Sequence, residues 1–199
     1  HYNVYLHCGV SADAPIEEIE SIIENYPCEA PDTIIAIGGG SILDAGKALS
    51  VAFKGVHLKD FLYKKACLPE IAINTIAVPT TAGTGAETSY GAILFDKARN
   101  FKGGLRGKVL CPDYVIIDVE LYMKAPLKIK AEVGFDCLTH AIETYVSKSN
   151  TPLVKYNSIA AINIVFKHLR DAVSGNKKSM EKMAIASCIM GYNLAHSST

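Results

Sequence analysis

A carboxylate and an imidazole stand four positions apart in the second half of the chain, at Asp136 and His140. Four residues make about one helical turn, so on a helix both side chains project from one face and can reach a common cation. An oxygen and a nitrogen ligand suit Zn²⁺ or Fe²⁺, which normally take three or four ligands. The same spacing also fits a surface ion pair or a histidine satisfied within the core, and by itself it leaves these interpretations open.

A second candidate site is the glycine-rich segment Gly38–Ser41, which follows the apolar run 33–37 and precedes the helical spacing of 43–53. Glycines let a backbone approach a charged group closely, and the first turn of a helix offers unpaired N–H donors. This pattern predicts a phosphate cradle, although a tight turn without a ligand fits equally well because neither G-x-G-x-x-G nor a P-loop is present. Asp44, one turn into the helix, favours the helix dipole but opposes an anion nearby.

The segment Pro79-Thr-Thr-Ala-Gly-Thr-Gly85 repeats the design of a strand followed by small residues. Its three hydroxyls and two glycines are suited to a ribose or a pyrophosphate, and a plain polar turn is the alternative. Ligands of α/β folds bind beyond the carboxyl ends of the strands, so two such loops in one layer favour a cofactor site.

Two periodicities divide the chain at about residues 119–126. Before this point short β-rich runs alternate with helical patterns, including an amphipathic helix that starts at Pro15; after it the apolar spacing is helical. We expect strands at 4–6, 33–37, 71–78, 90–95 and 114–117, and helices at 128–147, 153–173 and 177–195. The order predicts an α/β layer with a parallel sheet, followed by a helical layer.

The composition excludes several classes of protein. Among 199 residues, 20 Lys or Arg balance 20 Asp or Glu and 49% are apolar, which excludes a disordered polyelectrolyte and a basic nucleic-acid binder. The apolar runs fall short of the roughly 18 residues that span a bilayer, so we expect neither a nucleic-acid nor a membrane partner. The six cysteines form no C-x-x-C pair, which predicts free thiols and a cytoplasmic location. Both chain ends, His1 and Thr199, are expected to be cut.

Three motifs, taken in order, resemble the iron-containing alcohol dehydrogenase family. They are Asp32-Thr-Ile-Ile-Ala-Ile-Gly-Gly-Gly-Ser41 with Asp44 and Lys47, Ala77-Val-Pro-Thr-Thr-Ala-Gly-Thr-Gly-Ala-Glu87, and Gly134-Phe-Asp-Cys-Leu-Thr-His-Ala-Ile-Glu143. Their separations fit the family without large gaps, and the resemblance covers nearly the whole chain.

The resemblance implies a dinucleotide-binding α/β domain of the dehydroquinate synthase-like type over residues 1–120 and an all-helical metal-binding domain over 121–199, both incomplete. It places the cofactor pyrophosphate on Gly39, Gly40 and Ser41, the nicotinamide ribose beside Thr80, Thr81 and Thr84, and a further cofactor contact on Lys102. It makes Asp136 and His140 two of four metal ligands, one Asp and three His. The other two histidines would follow Thr199, and the acidic residue that binds the ribose would precede His1.

The activity implied by the resemblance is hydride transfer between NAD or NADP and a primary alcohol or aldehyde, with Fe(II) or Zn(II) polarising the substrate oxygen in a homo-oligomer. Three positions depart from the family pattern: Val133 and Cys137 beside the metal aspartate, and Gly91, where relatives often carry an asparagine near the cofactor. A NAD- and metal-dependent lyase of the dehydroquinate synthase type and a non-catalytic fragment of the fold are the alternatives.

Overall fold

The first half of the chain alternates strands with helices, and the second half is helical, as the sequence predicts. A computed structural model describes residues 3–55, 57–63 and 67–197. Its elements are α1 (Ile16–Glu24), β1 (Thr33–Gly38), α2 (Gly40–Ala52), α3 (Leu58–Leu62), β2 (Asn74–Pro79), β3 (Gly91–Asp96), β4 (Phe101–Arg106), a 3₁₀ turn (Lys108–Leu110), β5 (Tyr114–Val115), α4 (Val119–Met123), α5 (Leu127–Val146), α6 (Pro152–Val173) and α7 (Lys177–His196). The predicted chain ends, residues 1–2 and 198–199, lie outside the described residues.

The α/β part is built on a parallel sheet of three strands in the order β1-β2-β5. Strands β1 and β2 pair in register from Thr33 opposite Asn74 to Gly38 opposite Pro79. The two candidate loops therefore leave the sheet at the same edge, and the Thr80 N–H donates to the Gly38 carbonyl at 2.9 Å. This is the juxtaposition that two strand-loop units of one parallel layer predict.

Strands β3 and β4 form an antiparallel hairpin beside this sheet. Its first strand agrees with the sequence prediction, but β4 was not expected, because Gly103 and Gly104 interrupt the apolar alternation by which a strand is recognised. Helix α2 packs between the sheet and the hairpin. The core there is formed by small and branched residues of α1, α2 and β3, such as Ile19, Ala48 and Leu94, which are fully buried.

Helices α5, α6 and α7 pack against one another, and their bounds lie within one residue of the predicted ones. Side-chain caps explain two of the starts: the Thr151 hydroxyl accepts from the Val154 N–H, and the Asn176 side chain accepts from the Ser179 N–H. Buried apolar side chains, mostly of alanine and methionine, form the core between them, among them Ala141, Ala161, Val165, Met183 and Met190.

Three strand predictions need correction. Residues 4–6 form no strand with any described segment, and the side chains of Val4 and Leu6 are exposed, so β-propensity alone did not produce pairing. Strand β2 begins at Asn74 rather than at residue 71, because its partner β1 begins at Thr33, directly opposite Asn74. Strand β5 is only two residues long. The short helices α3 and α4, of five residues each, are too short to show a helical period in the sequence.

All six cysteines lie in the described residues and are unpaired thiols. Within residues 3–55, 57–63 and 67–197, no helix combines the length and the apolar character needed to cross a bilayer.

An ion pair ties α1 to the hairpin and makes the stability depend on pH. Hydrogen bonds from the Lys97 side chain and the Ser11 N–H lower the pKa of Glu18 to about 2. Because the pKa is lower in the folded state than in the unfolded chain, this stabilisation is present above about pH 4.5 and disappears as the pH falls toward 2. We expect Glu18→Gln to lower the free energy of unfolding at neutral pH, and the difference from wild type to shrink below about pH 4.5.

Denaturant unfolding across this pH range measures the difference, with Glu24→Gln, at an exposed position of the same helix, as the control. A difference for Glu18→Gln that stays constant with pH would contradict the assignment.

Candidate functional site

The glycine loop and the Asp–His pair line one cavity of about 640 Å³, between the α/β part and the helices. This volume lies within the range of about 300–1,000 Å³ that is usual for small-molecule and cofactor sites. The cavity is lined by Asp13, Gly40, Ser41, Asp44, Thr84, Gly91, Lys102, Arg106, Asp136, His140, Glu143 and Leu194, among others. Residues 95 or more positions apart in sequence are thus brought to one space by the tertiary fold.

Asp136 and His140 lie on one face of α5, and the His140 Nε2 is 3.7 Å from the Asp136 Oδ1. This separation is too long for a hydrogen bond, so neither atom satisfies the other. The His140 Nδ1 is buried and has no hydrogen-bond partner among the residues that the structure describes. An oxygen and an imidazole nitrogen directed to a common space suit a divalent cation such as Zn²⁺ or Fe²⁺.

The pair is not a complete metal site by itself. Within the described part of the chain, no group of three or more His, Cys, Asp or Glu side chains is arranged to hold an ion. Asp136 and His140 therefore offer two candidate ligands, fewer than the three or four that such ions normally take.

The glycine loop starts helix α2 at the edge of the cavity. The N-cap of α2 is Gly39, with no side-chain cap; the N–H groups of Ile42 and Leu43 donate to its carbonyl, and those of Gly40 and Ser41 have no acceptor among the described residues. The Ser41 hydroxyl does not cap the helix; it accepts from the Asp13 N–H at 3.0 Å and keeps its own proton for another acceptor. The start of α2 thus presents N–H and O–H donors together with the positive end of the helix dipole. This combination is suited to binding a phosphate.

The two loops touch at these glycines, where an added Cβ would make an ordinary contact on Gly39 and a tight one on Gly40. A Cβ on Gly39 would lie 3.4 Å from the Thr81 Oγ1, and a Cβ on Gly40 would lie 3.2 Å from the Thr84 Oγ1. Of the three predicted threonines, Thr84 lines the large cavity, whereas Thr81 lines a separate void of about 10 Å³, and Thr80 lines neither.

Lys102 lies on β4 at the cavity, where its ammonium pairs with the Asp13 carboxylate at 2.5 Å. Asp13 and Ala14 both have left-handed backbone angles, with φ of 65° and 47°, which is unusual for residues other than glycine. This conformation directs the Asp13 N–H to Ser41 and its carboxylate to Lys102. The sequence did not identify Asp13 as a site residue, because nothing in the residues around it indicates that it pairs with Lys102, 89 positions away.

Asp44 and Lys47 tie α2 to the hairpin. The Lys47 ammonium is buried and donates to the Ser89 carbonyl, the Ser89 hydroxyl and the Gly91 carbonyl. The Asp44 carboxylate accepts from the Ile93 N–H at 3.0 Å. Burial lowers the pKa of Lys47 and raises the pKa of Asp44, and the attraction between the two groups partly offsets both effects. The Asp44 carboxylate is thereby directed to the backbone of β3. This orientation reduces the repulsion of a bound anion that we expected from its position one turn into α2.

The threonine–glycine loop also rests directly on α5 and α7. A Cβ on Gly83 would lie 1.8 Å from the Val133 carbonyl oxygen, and a Cβ on Gly191 would lie 2.0 Å from the Gly85 carbonyl oxygen. Val133 precedes Asp136 by three residues, so the loop contacts the helix close to the Asp–His pair. The departure at Cys137 has a simple structural explanation: its side chain is fully buried in the helical core, where burial raises the pKa of the thiol to about 12.

Arg106 was also missed by sequence reasoning. Its guanidinium donates to the Leu194 and Ser197 carbonyls at 2.8 and 3.1 Å, and thereby joins β4 to the end of α7 beside the cavity. His196 in the same turn stacks on Tyr192 with 4.1 Å between the ring centroids.

Comparisons with known proteins agree with this arrangement. The family description "Iron-containing alcohol dehydrogenase" matches residues 1–119, and "Fe-containing alcohol dehydrogenase family, C-terminal" matches residues 130–199. An alcohol dehydrogenase of Thermococcus barophilus is 32% identical, over 92% of this chain and 50% of its own length. An NAD-dependent methanol dehydrogenase of Bacillus methanolicus is 33% identical, over 90% and 47%.

Solved structures show the same likeness. The iron-containing alcohol dehydrogenase of Thermotoga maritima has a TM-score of 0.88 at 29% identity, over 96% of this chain and 52% of that one. The sulfoacetaldehyde reductase of Bifidobacterium kashiwanohense, solved with NAD⁺, has a TM-score of 0.84 at 32% identity, over 92% and 50%. The chain spans about half the length of the curated relatives it matches.

The close contact between the loop and α5 predicts the outcome of one substitution. Gly83→Ala places a methyl group against a backbone oxygen that cannot rotate away, and we expect it to lower the free energy of unfolding by about 1–3 kcal/mol. Gly91→Ala, whose Cβ would be 3.7 Å from the nearest atom, is the matched control and should change it by less than about 1 kcal/mol. Denaturant unfolding of both variants measures the two values. Equal effects would show that the loop is free to move off α5.

Proposed function

Since the chain belongs to the iron-containing alcohol dehydrogenase family, we propose that it transfers a hydride between a nicotinamide dinucleotide and a primary alcohol or aldehyde. The observation that carries this proposal is the common cavity, which is lined both by the N-terminus of α2, a suitable binding site for a phosphate, and by Asp136 and His140. Relatives named as an NADPH-dependent butanol dehydrogenase and an NAD-dependent methanol dehydrogenase support the reaction class and leave both NAD and NADP as candidates.

In this proposal the α/β part, residues 1–120, binds the dinucleotide. Gly39, Gly40 and Ser41 hold the pyrophosphate with the N–H and O–H donors of the first turn of α2. Of the three threonines predicted beside the nicotinamide ribose, Thr84 lines the cavity and is the one proposed to contact the ribose, whereas Thr80 and Thr81 do not line this cavity. Lys102 adds a positive charge at the cavity.

The helical part, residues 121–199, contributes Asp136 and His140 to a divalent cation, Fe(II) or Zn(II). The placement of both side chains at the cavity, with the His140 Nε2 3.7 Å from the Asp136 Oδ1, supports this assignment. Two ligands leave the set incomplete, so the remaining ligands come from polypeptide other than the described residues. When bound, such a cation acts as a Lewis acid that polarises the substrate oxygen.

The residues of the chain itself supply positioning. The loops hold the dinucleotide on one side of the cavity, and Asp136 and His140 fix the substrate side, so donor and acceptor carbons meet in one orientation. Positioning of this kind contributes up to about 7–11 kcal/mol toward lowering the barrier.

Loss of either predicted ligand should separate chemistry from cofactor binding. We expect Asp136→Ala and His140→Ala in the full-length protein to abolish metal-dependent turnover and reduce the bound metal, while NAD(P)H affinity changes little, because neither side chain is part of the dinucleotide loops. Formation of NAD(P)H from an alcohol, metal analysis and NAD(P)H fluorescence titration measure the three quantities. Unchanged activity in either variant would refute the metal assignment.

The ion pair between Asp13 and Lys102 makes a further prediction about the dinucleotide. An anionic ligand must compete with the Asp13 carboxylate for Lys102, so Asp13→Asn should strengthen NAD(P)H binding by about two- to fivefold at low salt. Lys102→Ala should weaken it, and both effects should diminish at high salt because exposed charges are screened. Fluorescence titration at two salt concentrations tests this. Weaker binding by Asp13→Asn would show instead that Asp13 contributes to cofactor binding.

A further inference from the structure

We propose that Ser187 and Glu87 are positioning residues for the dinucleotide, because together they hold the loop Thr80–Gly85 against helix α7. This inference rests on the proposed function, in that the loop is taken to contact the cofactor. Neither residue lines the large cavity, so any effect on binding acts through the loop.

The Ser187 hydroxyl is the centre of the contact. It accepts from the Gly83 N–H at 3.0 Å and from the Gly85 N–H at 3.2 Å, and it donates to the Glu87 Oε1 at 2.8 Å. A hydroxyl has one proton and two lone pairs, and all three are used here. Glu87 therefore determines where the proton points, and hence where the lone pairs meet the two loop N–H groups.

The burial of Glu87 is costly and needs an explanation. Its exposed fraction is 1%, and its Oε2 has no hydrogen-bond partner among the described residues. A buried polar oxygen without a partner destabilises the fold. Burial also raises the pKa of Glu87, which favours the neutral carboxylic acid, and this form still accepts from Ser187 through Oε1. Orientation of the Ser187 hydroxyl is a role that an apolar side chain of the same size would not perform.

The loop has few other means of keeping its shape on this side. Gly85 has a left-handed φ of 67°, and its position is so close to Gly191 that no side chain fits between them. The Thr88 hydroxyl donates to the Cys188 carbonyl at 2.8 Å, just beyond the loop. Among the described residues of α7, Ser187 is the only one whose side chain accepts hydrogen bonds from N–H groups of the loop Thr80–Gly85.

The opposite side of the same loop faces the proposed cofactor. The Thr84 side chain contacts Gly40 at the start of α2 and lines the large cavity. A shift of Gly83 or Gly85 away from α7 would therefore move Thr84 relative to the donors of Gly40 and Ser41. Because the donors of both loops must converge on one ligand, a small displacement weakens binding.

The central experiment compares Ser187→Ala with Ser158→Ala in the full-length protein. Ser158 is also a fully buried helical serine; it bonds to Thr144, the Val154 carbonyl and Asn193, and it does not touch the loop. Ser187→Ala leaves two buried N–H donors without an acceptor, so we expect the Kd for NAD(P)H to rise by about fivefold or more. The KM for the dinucleotide should rise with it, with a smaller change in kcat at saturating dinucleotide. Ser158→Ala should lower the thermal midpoint but leave the Kd within about twofold of wild type.

Two results would overturn the inference: a Kd for Ser187→Ala within about twofold of wild type, or an equal rise in Kd for both variants. Amide hydrogen exchange of residues 80–88 separates this question from the proposed function, because it needs no ligand. Exchange there should be about tenfold faster in Ser187→Ala than in Ser158→Ala. If the wild-type protein binds no dinucleotide, the proposed function fails, whereas equal exchange in the two variants refutes the role of Ser187.

A second pair of variants covers the case in which Ser187→Ala does not fold. Glu87→Gln keeps an oxygen that accepts from Ser187 and should bind NAD(P)H nearly as wild type does. Glu87→Met has a similar length but no acceptor, so the Ser187 hydroxyl turns to a carbonyl of its own helix and one loop N–H loses alignment. We expect faster exchange of residues 80–88 and a higher Kd in Glu87→Met only. Equal behaviour of the two variants would contradict the proposal.

Discussion

The arrangement of the whole site depends on one close backbone contact, between the loop Gly83–Gly85 and helices α5 and α7. The Cβ positions of Gly83 and Gly191 would overlap backbone oxygens of the opposing segment, so this contact exists only because no side chains are present there. It places a loop of the parallel sheet next to the helix that carries Asp136 and His140. Without this contact, the two loops that offer hydrogen-bond donors and the Asp136–His140 pair would lie on separate surfaces.

Around this contact the fold uses ionisable groups mainly to join elements. Lys47 and Asp44 connect α2 to β3 through backbone carbonyls and an N–H, and Glu87 connects the loop region to α7 through Ser187. Buried groups of this kind are costly to desolvate, and each is retained with specific hydrogen bonds that define one geometry. Lys102 and Asp13 are different, because they are about half exposed and their attraction is screened by solvent. The first set determines the shape of the site, and the second is available to respond to a ligand.

The sequence predicted the architecture well where a pattern is local. The period of α5, α6 and α7 reproduces their bounds to within one residue, and two strands followed by small residues correctly indicate loops at one edge of a parallel sheet. It failed at residues 4–6, where strand-forming residues pair with nothing described, and at β4, where glycines hide the alternation. Strand formation is a property of pairs, so a single segment does not determine it.

By itself the sequence determined the chemistry that is available: N–H donors at a glycine-rich helix start, hydroxyls in a second loop, and a carboxylate one turn from an imidazole. Each of these features depends only on residues within about one helical turn or one loop, and the types of those residues determine the local geometry. Only the tertiary structure decided that these groups face one cavity, that Asp13 pairs with Lys102, and that Ser187 supports a loop more than 100 residues earlier in the chain. Such contacts follow from how the helices pack on the sheet, and spacing along the chain carries no information about packing partners that distant.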